Sequence, residues 1–422
     1  MDTSNHYRIL MFAYHFPTQR GAESFVNGNL ALVFLESDVD IDVITLDNSG
    51  RDIPFDLSDC WVPLKPVTHF VPDKATGFFA NIIERVLKVF SPVHLLRYLF
   101  WVWNAVILGN KLKRKNNNYD FVMSRCQPIW SHIPALVVST IWKTPWVANW
   151  NDPAPIRKYP KPLGEGKIPP LPLGMGLLFR TICTRASWHT FVCERLKNYM
   201  WSYMPETVKD KSTVIPHISI SRSLKSNSEN QGRFTLCHAG SAYYRNWAQF
   251  LEGLKLFATR HEVKAPFLVE FMGWQPDEFT EYVRKLGLDD IVVVKPARIY
   301  QEFMEDLAAS DVLVVIEMEA EEGIFLPSKV ADYVTVGRPI LAVSPKTGTM
   351  ADLLSRFGGG IVADCASPEK IADGIEILYE SWQSGRLQLD FDTGRLKKLF
   401  SESTVVSQYQ KLFKHIKVGR PD

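Results

Sequence analysis

Two cations, Lys329 and Arg245, stand in positions suited to an anion. Lys329 falls in the first turn of a predicted helix over residues 328–336, opened by Pro327 and Ser328. The amide dipoles of a helix start disfavour a cation there unless an anion is bound nearby. Asp332 shares the face of Lys329 and has the chemistry to accept from ribose hydroxyls; a plain Lys–Asp surface pair is the competing reading. Arg245 follows the segment His238-Ala239-Gly240-Ser241, which ends a predicted strand, and it stands just ahead of a helix over 247–259. Gly240 lets backbone approach a ligand, a helix start offers free N–H groups, and a guanidinium fork matches phosphate oxygens. A structural turn with a surface arginine competes with that reading.

Gly21, with Arg20 before it and a helix starting near Ser24, is a further anion cradle of the same kind. These features suit a diphosphate. Neither GxGxxG with a following ribose acid nor GxxxxGK[ST] occurs, so dinucleotide and ATP binding are not indicated. The acidic run Glu317, Glu319, Glu321, Glu322 has no His or Asp at ligand spacing. Solvated loop carboxylates are expected there, with no metal, and only Glu322, beside Gly323, is placed near a ligand.

Those residues need elements to hold them. A strand over 7–13, a turn-rich loop, a helix from Ser24 to Leu35 and a strand over 41–46 make a βαβ opening, hence a parallel sheet. Residues 121–124 and 146–149 are later strands of that sheet, with a helix over 132–141 between them. Asp152 lies just past the second, at a strand end. Residues 153–176 hold seven Pro and four Gly, which forbids regular structure; a lid or an acceptor-contacting loop is expected. Residues 221–232 are polar and read as the interdomain linker.

After the linker, strands at 234–239, 268–272, 291–294, 312–316, 340–343 and 360–363 alternate with helices, which gives a second doubly wound domain. The expected division is 1–222 and 233–390. A helical tail over 391–422 is expected to cross back to the first domain.

The whole-chain balance agrees with this organisation. Of 422 residues, 46% are hydrophobic and 22% charged, which excludes disorder as the main state. The net charge of +2 hides an asymmetry. Residues 1–225 carry 26 Lys+Arg against 18 Asp+Glu, and the rest carry 22 against 28. A basic first half suggests an anionic partner. Six cysteines without CxxC spacing, mostly in apolar runs, fit a reducing cytoplasm, and no signal peptide is visible. In the basic, apolar segment 78–115 the longest uncharged stretch is the 13 residues 98–110, short of the ~18–20 that cross a bilayer. Helices lying on anionic lipid and buried core helices are equally compatible with it.

With those segments assembled, the chain resembles glycosyltransferase family 4, of the GT-B fold, in its bacterial polysaccharide-biosynthesis branch. The resemblance is carried by "ILMFAYHFPTQRGAES", "TPWVANWNDPAP", "VIPHIS", "FTLCHAGSAYYRNW" and "EGIFLPSKVADYVTVGRPILAVSP", in that order. It implies two Rossmann-like doubly wound domains facing a central cleft. It also implies a retaining, metal-independent transfer of sugar from a UDP- or GDP-linked donor to a glycan or lipid-linked acceptor. No cofactor and no nucleic-acid partner are implied, and the expected site of action is the cytoplasmic face of the cell membrane.

By the same resemblance, Arg245 and Lys329 neutralise the departing diphosphate and Asp332 binds the ribose. Gly21 contacts phosphate or acceptor. The backbone of Gly323, Ile324, Phe325 and Leu326 holds the donor sugar, while Arg298 lies in the base-binding segment and Asp152 positions acceptor or sugar. The chain departs from the family at Asn151 (usually His or Arg), Ala22 (usually Gly), His217 (usually Asn) and Asp332 (usually Glu). Two alternatives therefore stay open: a nucleotide-sugar epimerase or phosphorylase on the same fold, and a non-catalytic scaffold subunit.

Overall fold

The structure, a computed structural model, describes residues 6–17, 19, 21–47, 59–74, 93–116, 118–218, 220, 232–261, 267–296, 298 and 300–419. Arg20, residues 78–92 of the basic segment and nearly all of the expected linker 221–232 lie outside the described residues. The chain forms two compact units, residues 1–217 with 405–422 and residues 218–404.

Unit 1 runs β1 (Tyr7–Ala13), α1 (Ala22–Leu35), β2 (Val39–Leu46), β3 (Thr68–Val71), α2 (Val93–Asn116), β4 (Phe121–Cys126), α3 (His132–Trp142), β5 (Trp146–Trp150), α4 (Leu173–Arg185), β6 (Trp188–Phe191), α5 (Glu194–Trp201) and β7 (Ser212–Val214). The strands form one parallel sheet in the order β3-β2-β1-β4-β5-β6-β7. Every residue of β4 and β5 is buried, as parallel strands covered on both faces require. Strand order reverses between β1 and β4, so a crevice opens past Ala13 and Cys126, where open α/β sheets bind ligands.

Unit 2 runs β8 (Phe234–Ala239), α6 (Trp247–Arg260), β9 (Phe267–Met272), α7 (Phe279–Lys285), β10 (Val292–Lys295), α8 (Tyr300–Ala309), β11 (Val312–Ile316), α9 (Lys329–Val336), β12 (Ile340–Ser344), α10 (Thr349–Phe357), β13 (Gly360–Asp364), α11 (Pro368–Gln383), α12 (Leu387–Asp390) and α13 (Gly394–Phe400). Its parallel sheet is ordered β10-β9-β8-β11-β12-β13 and reverses between β8 and β11. Its core includes Phe250, Phe257, Phe271, Val314 and Ile375.

The tail is two helices rather than one, because Ser401 is extended between α13 and α14 (Glu402–Val418). From Val405 onward α14 belongs to unit 1, with Phe413 against Phe121 and Tyr7, and Lys417 on Asp120 at 2.8 Å. The Pro/Gly segment corrects one expectation. It holds a 3₁₀ turn at Ile156–Lys158, and α4 begins at Leu173, so Gly174 and Gly176 are helical. Pro172 sits at the N-cap, outside the helix, where its missing N–H costs nothing. β3, β6, β7, α4 and α5 are elements the sequence reading did not pick out.

Candidate functional site

Unit 2 gathers its charged residues where its sheet reverses. β8 ends at Ala239, and Gly240 turns the chain with φ +102°, a conformation that L side chains rarely adopt. A Cβ on Gly240 would lie 3.3 Å from the Lys329 ammonium, so the missing side chain leaves the space that Lys329 fills. Tyr333, one turn along α9, fixes that helix against the strand end. Its hydroxyl accepts from the Ala239 N–H at 2.9 Å and donates to the Val314 carbonyl at 3.3 Å.

His238 lies beneath Lys329. Its Nδ1 is 2.9 Å from the Val314 carbonyl, so Nδ1 carries the proton and donates. Nε2 is then an acceptor, 3.5 Å from Lys329 Nζ. Burial first, and then the charge of Lys329, hold His238 well below the ordinary imidazole range. Lys329 is itself lowered to about 7, by loss of solvent and by the repulsion of Arg245, against the attraction of Glu317. Among the described residues neither Arg245 nor Lys329 forms an ion pair within 4.0 Å. A lysine lowered by a neighbouring guanidinium marks a site short of negative charge.

Glu317 corrects the acidic-run reading. It is 3% exposed, not solvated, and burial raises it to about 7 against the pull of Arg245 and Lys329. Its Oε2 lies 3.6 Å from where a Gly323 side chain would begin. The strand β11 carries it inward, and its N–H and carbonyl are used by Val343 and Asn246.

The loop over 321–327 is pinned beside it. Gly323 bridges to Gly348, donating its N–H to the Thr347 carbonyl at 2.9 Å and accepting from the Thr349 N–H at 2.7 Å. The Gly323 N–H is thus committed within the protein and is not available to a sugar hydroxyl. Ile324 and Leu326 are buried, with Phe325 and Glu322 half-buried.

Asp332 does not pair with Lys329; its Oδ1 accepts from the Tyr300 hydroxyl at 2.6 Å, and it is buried. Arg298 lies 3.4 Å from Asp306 and 3.7 Å from Glu302, held by acids of α8. Lys329, Arg245, Gly240 and Gly323 therefore meet around His238 and Glu317, while Arg298 is engaged separately.

In unit 1, Gly21 caps α1 with φ +145° and is exposed. Two residues on, Glu23 meets the end of β5. Asn151 Nδ2 donates to Glu23 Oε2 at 2.8 Å, and burial, reinforced by the charge of Asp152, raises Glu23 to about 8. The Tyr159 hydroxyl donates to Asp152 and accepts from the Gln127 amide. Arg125, 3% exposed, supports the group from β4 and donates to Asn27 at 2.7 Å. Sequence reasoning selected Asp152 and passed over Glu23, Arg125, Tyr159, Glu317 and Tyr300. The signals present were Glu23 in the first turn after Gly21, and Glu317 at the very end of an apolar strand.

Among the described residues, no group of three or more His, Cys, Asp or Glu is arranged to hold a metal ion. No helix among them is long and apolar enough to cross a membrane.

No family model matches the chain, and no curated protein matches it by sequence. Solved structures do match in shape. Sucrose-phosphate synthase from Thermosynechococcus elongatus superposes with a TM-score of 0.69 at 12% identity, over 98% of this chain and 99% of that one. HepE from Anabaena, in complex with UDP and glucose, superposes with a TM-score of 0.67 at 13% identity, over 97% and 100%. A UDP-N-acetylglucosamine 2-epimerase superposes with a TM-score of 0.58 at 10% identity, over 99% and 98%. Two parallel-sheet, Rossmann-like units in this order are the GT-B architecture of those transferases, and this chain has that fold.

Proposed function

We propose that this chain is a metal-independent, retaining glycosyltransferase of the family 4 type. It takes sugar from a nucleoside diphosphate donor and delivers it to a glycan or lipid-linked acceptor of the cell surface. The observation that carries this reading is that Lys329 fills the space beside Gly240 with Arg245 near enough to lower its pKa, without a carboxylate in ion-pair contact with either among the described residues. Breaking a glycosyl–phosphate bond puts negative charge on the leaving diphosphate, and fixed cations with helix amides stabilise that charge without reorganising. HepE binds UDP and glucose on this fold, which makes uridine diphosphate the first nucleotide to try.

In this reading Asp332, held by Tyr300, receives the ribose, and Glu322 with residues 323–326 faces the donor sugar. Asp152 and Gly21 belong to the acceptor side. Arg245→Ala and Lys329→Ala are each expected to lose about 10²–10³ in turnover while melting normally. Turnover close to that of the native chain in both variants would overturn the assignment.

The epimerase on this fold supports a second reading, in which the same diphosphate site serves epimerisation. Incubation with a nucleotide-sugar and no acceptor separates the two, since only an epimerase converts the donor. A scaffold subunit, the remaining alternative, need bind no nucleotide.

Membrane attachment is part of the proposal, on the cytoplasmic face. On α2, Leu99, Trp103 and Ile107 recur every four residues on the exposed side, followed by Lys111, Arg114 and Lys115. Leu96, Trp101, Ala105 and Leu112 face the core instead. An apolar stripe ending in cations suits the surface of an anionic bilayer.

A further inference from the structure

The segment between β5 and the end of α4 leaves apolar side chains in solvent that its own architecture could have covered. Ile168 is 93% exposed and Leu173 is 90% exposed, with Leu177 and Ile156 also exposed. A floppy loop would collapse such residues against the protein, but this one is tied from inside. Lys158 is buried and its ammonium donates to the carbonyls of Lys167 and Pro169, which flank Ile168. The Tyr199 hydroxyl holds the Lys158 carbonyl at 2.9 Å, and the Lys167 ammonium lies 4.8 Å from the Tyr199 ring. A buried cation clamping the two carbonyls beside an outward isoleucine fixes the loop with that side chain presented.

The outward side of α4 continues the pattern, with Leu173 and Leu177 followed by Arg180. Its core side is Phe179, Ile182 and Cys183. Topology sets where this surface lies. The crossovers from β3 to β4, β4 to β5 and β5 to β6 all step in one direction along the sheet. Right-handed crossovers therefore place α2, α3 and α4 on the same face, and α2 packs on α3 as α3 packs on α4. Exposed Ile141 of α3 belongs to that face as well.

The charge of this stretch is one-sided: residues 93–190 hold 13 Lys+Arg and 3 Asp+Glu. Each of the three acids is engaged: Glu165 by Arg157, Asp120 by Lys417, and Asp152 by Tyr159. Exposed Lys161, Lys167 and Arg180 stand beside the apolar residues.

We propose that the clamped loop around Ile168 and the outward side of α4 are a second membrane-contacting element, seating unit 1 on an anionic phospholipid bilayer by the face that carries α2, α3 and α4. The apolar side chains enter the headgroup–acyl boundary and the cations meet lipid phosphates. The inference rests on the membrane attachment proposed above and adds a contact that does not depend on α2. It would stand if the transfer chemistry proved different.

The test is co-sedimentation of the full chain with vesicles of phosphatidylcholine alone and of phosphatidylcholine with an equal part of phosphatidylglycerol, at low and high salt. The native chain is expected on the anionic vesicles only, with binding reduced by salt. Ile168→Ser/Leu173→Ser removes two insertions that touch little protein, so the melting temperature is expected to hold while partition falls about tenfold or more. Trp103→Ser/Ile107→Ser, on α2, is expected to weaken partition to a comparable degree. Native partition by the Ile168/Leu173 variant, together with loss in the α2 variant, would overturn this proposal and leave attachment through α2 standing. A chain that self-associates through Ile168 and Leu173, becoming monomeric in the variant with vesicle binding unchanged, would overturn it too. Nucleotide binding measured on the same variants reports separately on the donor site and is expected to be unaltered.

Discussion

Lys329 and Glu23 are the two residues whose protonation tells most about what their surroundings lack. Lys329 sits at about 7 because it has lost solvent and gained Arg245 as a neighbour. A bound diphosphate would reverse that balance and raise it, so binding takes up a proton. The sign follows: below about pH 7 the ammonium is already charged and affinity is flat, and above it affinity falls as pH rises. Titration calorimetry with UDP at about pH 8, in two buffers of different ionisation heat, is expected to show net proton uptake. Proton release would contradict the site.

Glu23 is raised to about 8 in the folded chain against 4.5 for the ordinary carboxyl. An unfolded chain ionises first, so its contribution to stability is complete below about pH 4.5 and fades as pH rises to about 8, by ~1.4 kcal/mol per pH unit. Glu23→Gln is expected to remove that slope and raise the melting temperature near pH 8. A lower melting temperature there would mean that the carboxylate is stabilised by its neighbours instead.

At the scale of elements, the strands were the legible part. The runs Phe234–Ala239, Val312–Ile316 and Ile340–Ser344 are mostly apolar and buried throughout because both sheet faces are covered, and Gly240 and Pro345 directly follow the first and last. β6 reads Trp-His-Thr-Phe, too short and too polar to stand out, although the fold buries His189 and bonds it to Trp150 and to the Cys183 carbonyl. The loop 153–172 was legible as irregular, but not as clamped, since nothing local marks Lys158 as buried.

Lys329 was legible because a cation in the first turn of a helix breaks a local preference, and Arg245 was joined to it by the resemblance. Glu317 was not, because Glu319, Glu321 and Glu322 follow it and make a solvated run look natural. Glu23 and Asn151 are 128 residues apart, and no local pattern reports such a contact. The close passage of Gly323 by Gly348 is of the same long-range kind. Gly348→Ala would put a methyl 2.8 Å from Gly323 backbone atoms. It is expected to destabilise unit 2 by about 1–3 kcal/mol in denaturant melts, with UDP affinity reduced as the loop shifts. A neutral outcome would show that the loop is looser than its bridge implies.

For the whole molecule, two parallel-sheet units each reverse strand order once, and each places charged residues beyond that reversal. Unit 2 offers cations there, and unit 1 offers carboxylates supported by Arg125. That division suits an anionic donor on one unit and a hydroxyl-bearing acceptor on the other. The basic first half was legible as a total, whereas the placing of α2, α3 and α4 on one sheet face required the crossover topology.

The most direct test of the account is a calorimetric titration of UDP into the native chain and into Arg245→Ala/Lys329→Ala. The account expects saturable binding to the native chain and a loss of affinity of about a hundredfold or more in the double variant, with its melting temperature retained. Equal affinity in the two proteins, or no binding by the native chain to any nucleoside diphosphate, would contradict it.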